Sequence, residues 1–313
     1  MANDNDWFNR TFERLPATTT GESPPPMNAT TDIVIGVEIE PELIRAVAYD
    51  ASLIPHGTAR RSTKLARGTA SVIERVARCV TDAADEGDLT PAGIRAVGVA
   101  LPGHRDSAHG NTVSSATLNW TAVPLEQLLS AQLGMPVRVG NRIHLSARAV
   151  WLQDLRRRPG VVAMLFWDGA LGGTIVRDGR LLDAAEAPAF HRLLEKTETA
   201  WAQRVPAAWR TRAARDWRKA LKRGEPVVCD FVEESLIELG RITARLATES
   251  NPDVIVIGGS LMEDRRAALL EKILSHAGQQ GGNRSHLDRC VVASQLGDNA
   301  VLIGAAALAQ DGI

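Results

Sequence analysis

The feature that most constrains the fold is a repeated alternation of short apolar runs and amphipathic helical patterns. Two apolar runs, residues 33–39 and 43–49, flank a three-residue turn and predict a β-hairpin. A second pair of runs, at 161–167 and 173–177, starts the same pattern again. The chain is therefore predicted to be α/β, with two similar halves and a cleft between them.

The other predicted elements complete each half. Helical spacing and further apolar runs predict helices at 69–86, 124–133, 143–157, 263–277 and 299–310, strands at 94–101, 137–140, 253–257 and 290–294, and a mostly helical stretch at 193–249. The predicted domains are a disordered leader at 1–30, an N-terminal lobe at 31–140, and a C-terminal lobe at 141–309 with a helical insertion at about 193–226.

Composition narrows the class of protein. The chain has 313 residues, 44% hydrophobic and 23% charged, with a net charge of −1. These values are typical of a soluble globular protein and give no global sign of binding to nucleic acid or to a membrane. No apolar run is long enough to span a bilayer, and no signal peptide is evident, so a cytoplasmic location is predicted. Cys79, Cys229 and Cys290 are far apart in the sequence and are interpreted as reduced residues rather than disulfide or metal partners.

Six phrases carry a resemblance to a known family. They are GVALPG at 98–103, GNTVSSATLNW at 110–120, VPLEQLLSAQLGMPVRVGN at 123–141, LGGTIVRDGRLL at 171–182, LGRITARLATESNPDVIVIGGSL at 239–261 and LGDNAVLIGAAALA at 296–309. In their order and spacing the chain resembles the ROK family of repressors, open reading frames and sugar kinases. The resemblance implies the duplicated two-lobe fold of actin-like ATPases, with an interdomain cleft.

The first hairpin departs from the family pattern. In active members it reads roughly D-x-G-G-T-K, and its backbone amides receive nucleotide phosphates. Here the corresponding places hold Glu38, Glu40, Pro41, Glu42 and Leu43. Pro41 has no N–H group, and the two glutamates of the turn would repel a polyphosphate. Glu38 is left as a weak candidate for Mg²⁺ binding or for acid–base chemistry, and an ordinary acidic turn is the favoured interpretation.

The position of the family's catalytic aspartate also differs. The segment VGNRIHLSA at 139–147 places Arg142 there, beside a retained Asn141. Arginine stays protonated and cannot serve as a general base. His144 is a weak substitute, because a residue two positions along a helix points to another face. Arg142 is interpreted either as a ligand for a carboxylate or phosphate, or as a salt-bridge partner of Glu38, Glu42 or Asp168.

A third family signature, the cysteine-rich zinc motif, has no counterpart in residues 183–226. The resemblance aligns His191 with the family's histidine, while Pro188 stands at the glutamate position before it. No zinc or other metal site is therefore predicted. Asn119, Asn141, Arg142, His144 and His191 remain as candidate ligand-binding residues.

Two glycine pairs match family phosphate and adenosine loops. They are Gly172 with Gly173, and Gly258 with Gly259. They would bind nucleotide if that activity is retained. The alternative is that close packing at these strand ends requires residues without a Cβ atom.

Residues 201–223 combine Trp201, Trp209 and Trp217, spaced by eight, with eight Arg and Lys residues. A spacing of eight returns to nearly the same helix face. The favoured interpretation is packing of the tryptophans on the protein body with a solvated basic face. A protein interface is the alternative, and RNA binding is a weaker one.

These departures together predict a catalytically degenerate family member. It would bind a small molecule or a protein partner and act in regulation, through closure of its lobes. The first alternative is an ATP-dependent sugar kinase with repositioned catalytic groups, which would need Mg·ATP. The second is a different chemistry on an anionic substrate. No DNA-binding domain is evident, and the resemblance implies a homodimer.

Overall fold

The computed structural model describes residues 32–106, 112–168, 170–209 and 214–311, so the predicted leader lies outside the described residues. Its first sheet has five strands in the order β3-β2-β1-β4-β8. They are β1 (Ile33–Ile39), β2 (Leu43–Tyr49), β3 (Pro55–Ser62), β4 (Ile94–Leu101) and β8 (Val137–Asn141). The first three are antiparallel, whereas β1, β4 and β8 run parallel. The carboxyl ends of these parallel strands therefore meet at one edge.

The second sheet repeats this arrangement in the order β11-β10-β9-β12-β13. Its strands are β9 (Val161–Trp167), β10 (Leu171–Arg177), β11 (Arg180–Leu181), β12 (Val254–Gly258) and β13 (Val291–Ala293). Again a hairpin leads and two parallel strands follow. The predicted duplicated α/β fold is thereby confirmed.

A third, small sheet extends the first lobe. It consists of β5 (His104–Asp106), β6 (Thr112–Ser115) and β7 (Trp120–Val123), joined as an antiparallel meander. The sequence pattern predicts none of these three strands, and it does not predict β3 either. The three strands are short, and β3 is polar, with only one of its eight residues fully buried. None of the four therefore shows a strong apolar pattern.

Helices cover both sheets. In chain order they are α1 (Thr69–Glu86), α2 (Leu125–Leu133), α3 (Arg142–Ala149), α4 (Pro188–Arg204), α5 (Ala214–Arg223), α6 (Pro226–Arg245), α7 (Arg266–Gln279), α8 (Arg284–Cys290) and α9 (Asn299–Gln310). A π-helical turn, Val150–Asp154, continues α3, and another, Leu246–Ser250, continues α6. No helix among the described residues is long and apolar enough to cross a bilayer.

Helix α9 is apolar on almost every side, which allows other elements to enclose it. Although it follows the second sheet in the chain, it packs on β1, β4 and α3. A Cβ atom at Gly98 would lie 1.8 Å from the carbonyl oxygen of Ala305, and one at Gly304 would lie 1.9 Å from that of Leu145. Glycine is therefore required where these backbones touch. The lobe boundaries at residues 140 and 309 stay sequence predictions.

The tryptophans of the helical insertion lie in the core of the second lobe. Trp201 and Trp217 are buried, and both contact Phe231, with ring centroids 5.9 and 5.0 Å away. Trp209 is partly buried and lies 5.0 Å from Trp217. The favoured interpretation, packing on the protein body, agrees with this placement. A partner would reach little of Trp201 or Trp217 in this conformation.

Candidate functional site

The candidate site begins at the carboxyl end of β1. Glu38 is completely buried there, opposite Arg45 in the antiparallel register with β2. The Arg45 Nε atom donates to the Glu38 Oε2 atom at 3.0 Å, and its Nη2 atom contacts the same oxygen. The carboxylate of Glu38 is thus paired with a cation of its own hairpin, at the place where the family pattern has an acid.

The turn that follows uses its own backbone groups. The amide of Glu40 donates to the Leu43 carbonyl at 2.8 Å, and the hydroxyl of Thr63 donates to the Glu40 carbonyl at 2.6 Å. Pro41 has no amide hydrogen to offer. Burial, together with the nearby Glu38 carboxylate, raises the pKa of Glu40 to about 7. This turn therefore presents carboxyl groups to the cleft, in place of phosphate-binding amides.

Arg142 begins α3, where Asn141 acts as the N-cap. The Asn141 Oδ1 atom accepts from the amide of Ile143 at 2.8 Å, and its Nδ2 atom donates to the carbonyl of Gly103 at 2.6 Å. Both ends of the Asn141 amide are therefore engaged in holding α3 against the end of β4. This geometry fixes the point from which Arg142 enters the cleft.

The guanidinium of Arg142 bridges the two lobes. Its Nη2 atom donates to Asp168 Oδ2 at 3.1 Å and lies 3.4 Å from Glu38 Oε1. Asp168, in the β9–β10 turn, also accepts from the amide and hydroxyl of Ser260. Burial opposes the charge of Arg142, but Asp168, Glu38 and Glu40 outweigh it and raise the pKa. Of the alternatives for Arg142, the salt bridge is the one observed, with Glu38 and Asp168 as its partners.

The ion pairs continue to the far side of the cleft. The Nη2 atom of Arg45 donates to the Asp298 carbonyl at 3.1 Å. The Nη2 atom of Arg218, on α5, donates to the Asp298 carboxylate at 2.6 Å, and its Nη1 atom contacts Glu263. Burial raises the pKa of Asp298, while Arg45 and Arg218 oppose that rise.

We call this set the cleft network. Its members are Glu38, Glu40, Arg45, Arg142, Asp168, Arg218, Glu263 and Asp298. Five of the eight are acids and three are cations, so the network carries excess negative charge wherever its carboxyl groups are ionised. Negative charge at close range repels phosphate groups. The network thus neutralises Arg142 internally and leaves little positive potential for an anionic ligand.

Two buried atoms of the network have no hydrogen-bond partner among the described residues. They are Oε1 of Glu38 and Nε of Arg142. Glu38 and Arg142 are therefore paired by the attraction of their charges at 3.4 Å and not by a hydrogen bond.

The glycine pairs are explained in part by packing. A Cβ atom at Gly173 would lie 2.8 Å from the Met164 carbonyl oxygen, and one at Gly172 would lie 3.0 Å from the side chain of Ile143. Gly259 has a φ of 104°, and a Cβ atom there would lie 2.4 Å from the Trp167 carbonyl oxygen. The backbone contacts at Gly173 and Gly259 require glycine whether or not nucleotide binds, whereas the Ile143 side chain beside Gly172 has room to move. Nucleotide binding by these glycines stays a prediction.

The remaining candidate ligand residues do not form one cluster. Asn119 is exposed in the β6–β7 turn, with a φ of 54°. His144 opens onto a cavity of about 400 Å³ beside α3, which Asn141 also lines. His191, on α4, lies 3.0 Å from the Leu182 carbonyl oxygen through its Nε2 atom. His191 is near enough to His144 to help lower its pKa, to which desolvation contributes most. The structure therefore brings Asn141 and His144 together, and places Asn119 elsewhere.

Several residues of the site were not predicted as such. Arg45 could have been found by counting outward from the turn, because hairpin register places it opposite Glu38. Asp298, Ser260 and Arg218 come from distant parts of the chain, and no local pattern marks them. Among the described residues, no group of three or more His, Cys, Asp or Glu is arranged to hold a metal.

Two hairpin-led sheets, facing across a cleft at the ends of their parallel strands, define the two-lobe class of actin-like ATPases and sugar kinases. A family model described as the ROK family matches residues 34–187 and 194–312. The chain belongs to the ROK family.

Solved structures support the fold. A ROK family glucokinase from Streptomyces griseus is 22% identical, with a TM-score of 0.63, over 90% of this chain and all of the other. A ROK hexokinase from Thermus thermophilus is 20% identical, with a TM-score of 0.59, over 90% and 98%. A ROK family transcriptional regulator, a homologue of the E. coli MLC protein, is 18% identical, with a TM-score of 0.63, over 90% and 79%. A search of curated proteins finds no match. At these identities the likeness shows the fold alone.

Proposed function

We propose that this ROK-family chain does not transfer phosphoryl groups and that it acts as a regulatory protein, binding a small molecule between its lobes. The observation that carries the proposal is the placement of Arg142. It occupies the position that the resemblance assigns to the catalytic base, and it is held by Glu38 and Asp168. A guanidinium cannot accept the proton of a sugar hydroxyl at any physiological pH.

The charge around this position supports the same proposal. The resemblance implies that a nucleotide phosphate would approach the first hairpin turn, where Glu38, Glu40 and Asp168 lie close to one another. Binding Mg·ATP there would require these acids to be protonated, shielded by the metal or moved. A ligand that avoids this region and contacts both lobes could change their separation, and so change the surface offered to a partner.

A second candidate is an ATP-dependent sugar kinase, and one observation favours it. The carboxyl of Glu40 has a pKa of about 7, which suits a general base working near neutral pH. The chemistry of an anionic substrate bound by Arg142 has less support, because that guanidinium already faces two carboxylates.

Phosphoryl transfer tests the proposal directly. The full chain is incubated with Mg·ATP and a panel of hexoses and N-acetylhexosamines, and ADP is measured by a coupled assay, with a ROK glucokinase as positive control. We expect no sugar-dependent ADP formation and no heat of Mg·ATP binding in isothermal titration. Sugar-dependent turnover that is lost in Glu40→Gln, but kept in Glu42→Gln, would instead establish the kinase with Glu40 as its base.

A further inference from the structure

The cavity beside α3 lies between the two lobes and outside the cleft network. Its volume is about 400 Å³. One wall is the exposed side of α3, where Asn141, His144, Arg148 and Trp151 follow helical spacing. The opposite wall comes from the β10–β11 hairpin, and the C-terminal end of α9 closes one side.

The walls of this cavity are mostly apolar. The ring of Trp151 lies against Gly179, where a Cβ atom would come within 2.6 Å of the ring. The indole N–H donates to the Arg158 carbonyl at 3.1 Å, so the ring is held from behind and its apolar surface faces the cavity. Leu181 lines the opposite wall and is 38% exposed, so its side chain is accessible to a ligand. These side chains favour an apolar ligand surface.

Most polar groups of the lining are already engaged. The amide of Asn141 caps α3 and holds Gly103. Arg148 pairs with Asp311 at 2.6 Å on the protein surface. The ring of His144 has no hydrogen-bond partner among the described residues. Desolvation, with a smaller contribution from His191 on α4, lowers the pKa of this imidazole. The Nε atom of Arg148 also lacks a partner but is buried, so the exposed imidazole of His144 is the lining side chain best placed to make a hydrogen bond to a ligand.

The volume and the polar groups together restrict the ligand. A cavity of about 150 Å³ suffices for benzene, so a cavity of this size holds two or three fused rings. A hexose has five hydroxyl groups, and this mostly apolar lining offers them few side-chain partners in exchange for water. The cation of the lining, Arg148, is already paired with Asp311, so the cavity offers little positive charge to a phosphate.

We propose that this cavity binds an uncharged, predominantly apolar ring compound that carries a single hydrogen-bonding group, with that group bonded to His144. The inference deepens the proposed function, on which it rests, by naming the chemical class of the ligand. It differs from the sugar chemistry expected of a kinase cleft, because the walls are mostly apolar and His144 is the exposed polar side chain among them.

The test uses 2-naphthol, naphthalene and glucose as probes, with affinities for the full chain measured by ligand-observed NMR and titration calorimetry. We expect 2-naphthol to bind about 3- to 10-fold more tightly than naphthalene, since it adds one hydrogen bond. His144→Leu should remove that preference while leaving naphthalene binding intact. Leu181→Glu should weaken both probes at least tenfold, whereas Val227→Glu, at a residue 52% exposed on α6, should change neither.

The outcomes separate this inference from the proposed function. If neither aromatic probe binds, or if binding is unchanged in Leu181→Glu, the inference is wrong even where no phosphoryl transfer is found. If glucose binds and Leu181→Glu weakens it, the cavity is a sugar site and the inference is also wrong. Sugar-dependent ADP formation would overturn the proposed function, whichever way the naphthol preference comes out.

Discussion

Replacing Arg142 by Met should destabilise the protein far more than removing a surface arginine. The substitution keeps the length and the apolar stem of the side chain but deletes the guanidinium between Asp168 and Glu38. Removing one partner from a buried ion pair typically costs about 3–5 kcal/mol, because the other charge stays buried without compensation. Glu38 keeps its contact with Arg45, and Asp168 keeps its contact with Ser260. We therefore expect the free energy of unfolding to fall by about 3 kcal/mol.

The assay is denaturant unfolding at pH 7.5, followed by tryptophan fluorescence and by circular dichroism. Arg148→Met is the matched control, because its bridge to Asp311 joins two half-exposed side chains and should contribute less than about 1 kcal/mol. In the double variant Arg142→Met with Asp168→Asn, part of the lost stability should return, since one of the unpaired charges is gone. Equal, small losses in Arg142→Met and Arg148→Met would refute the reasoning that the cleft network depends on this guanidinium.

Two further predictions concern pH and packing. The pKa of Glu40 rises from 4.5 in the unfolded chain to about 7 in the folded protein. The folded state therefore holds a proton that the unfolded chain has released, and stability falls as pH rises from about 5 to 8. Glu40→Gln should reduce that fall in stability by up to about 3 kcal/mol, whereas Glu42→Gln, at an exposed position in the same turn, should not. If stability changes equally with pH in both variants, Glu40 is not the group responsible. Gly98→Ala should greatly destabilise or unfold the protein, because the new Cβ atom would lie 1.8 Å from the Ala305 carbonyl. Gly278→Ala, in helix α7 with open space around it, should stabilise by about 0.5–1 kcal/mol; thermal melting compares the two.

The sequence predicted those parts of the fold whose apolar pattern is strong. The hairpin runs at Ile33–Ile39 and Leu43–Tyr49, and helices Thr69–Glu86 and Asn299–Gln310, were placed with the bounds that the structure has. Strand Pro55–Ser62 was missed because it is polar and mostly exposed, so its pairing with β2 is decided by backbone hydrogen bonds.

Within the site, the sequence shows where residues differ from the family pattern, but it does not show which contacts the new residues make. The neighbours of Arg142 identify it as the residue at the family's aspartate position. They leave two alternatives for its role, a salt bridge or the binding of an anionic ligand. The choice between them depends on Asp168, which reaches Arg142 only when the lobes are in place. Arg218 and Asp298 are 80 positions apart, and their pairing depends on how α5 lies across the cleft, which no periodicity encodes.

Helix α9 has a consequence for the order of folding during synthesis. Its first residue, Asn299, is synthesised 260 positions after Ile39, the end of β1, yet the helix covers that strand. A Cβ atom at Gly36 would lie 2.2 Å from the Leu302 carbonyl oxygen, so the backbones of the helix and the strand are in close contact there. The first sheet ends at Asn141, so one of its apolar faces lacks this helix for the 158 positions of synthesis that separate Asn141 from Asn299.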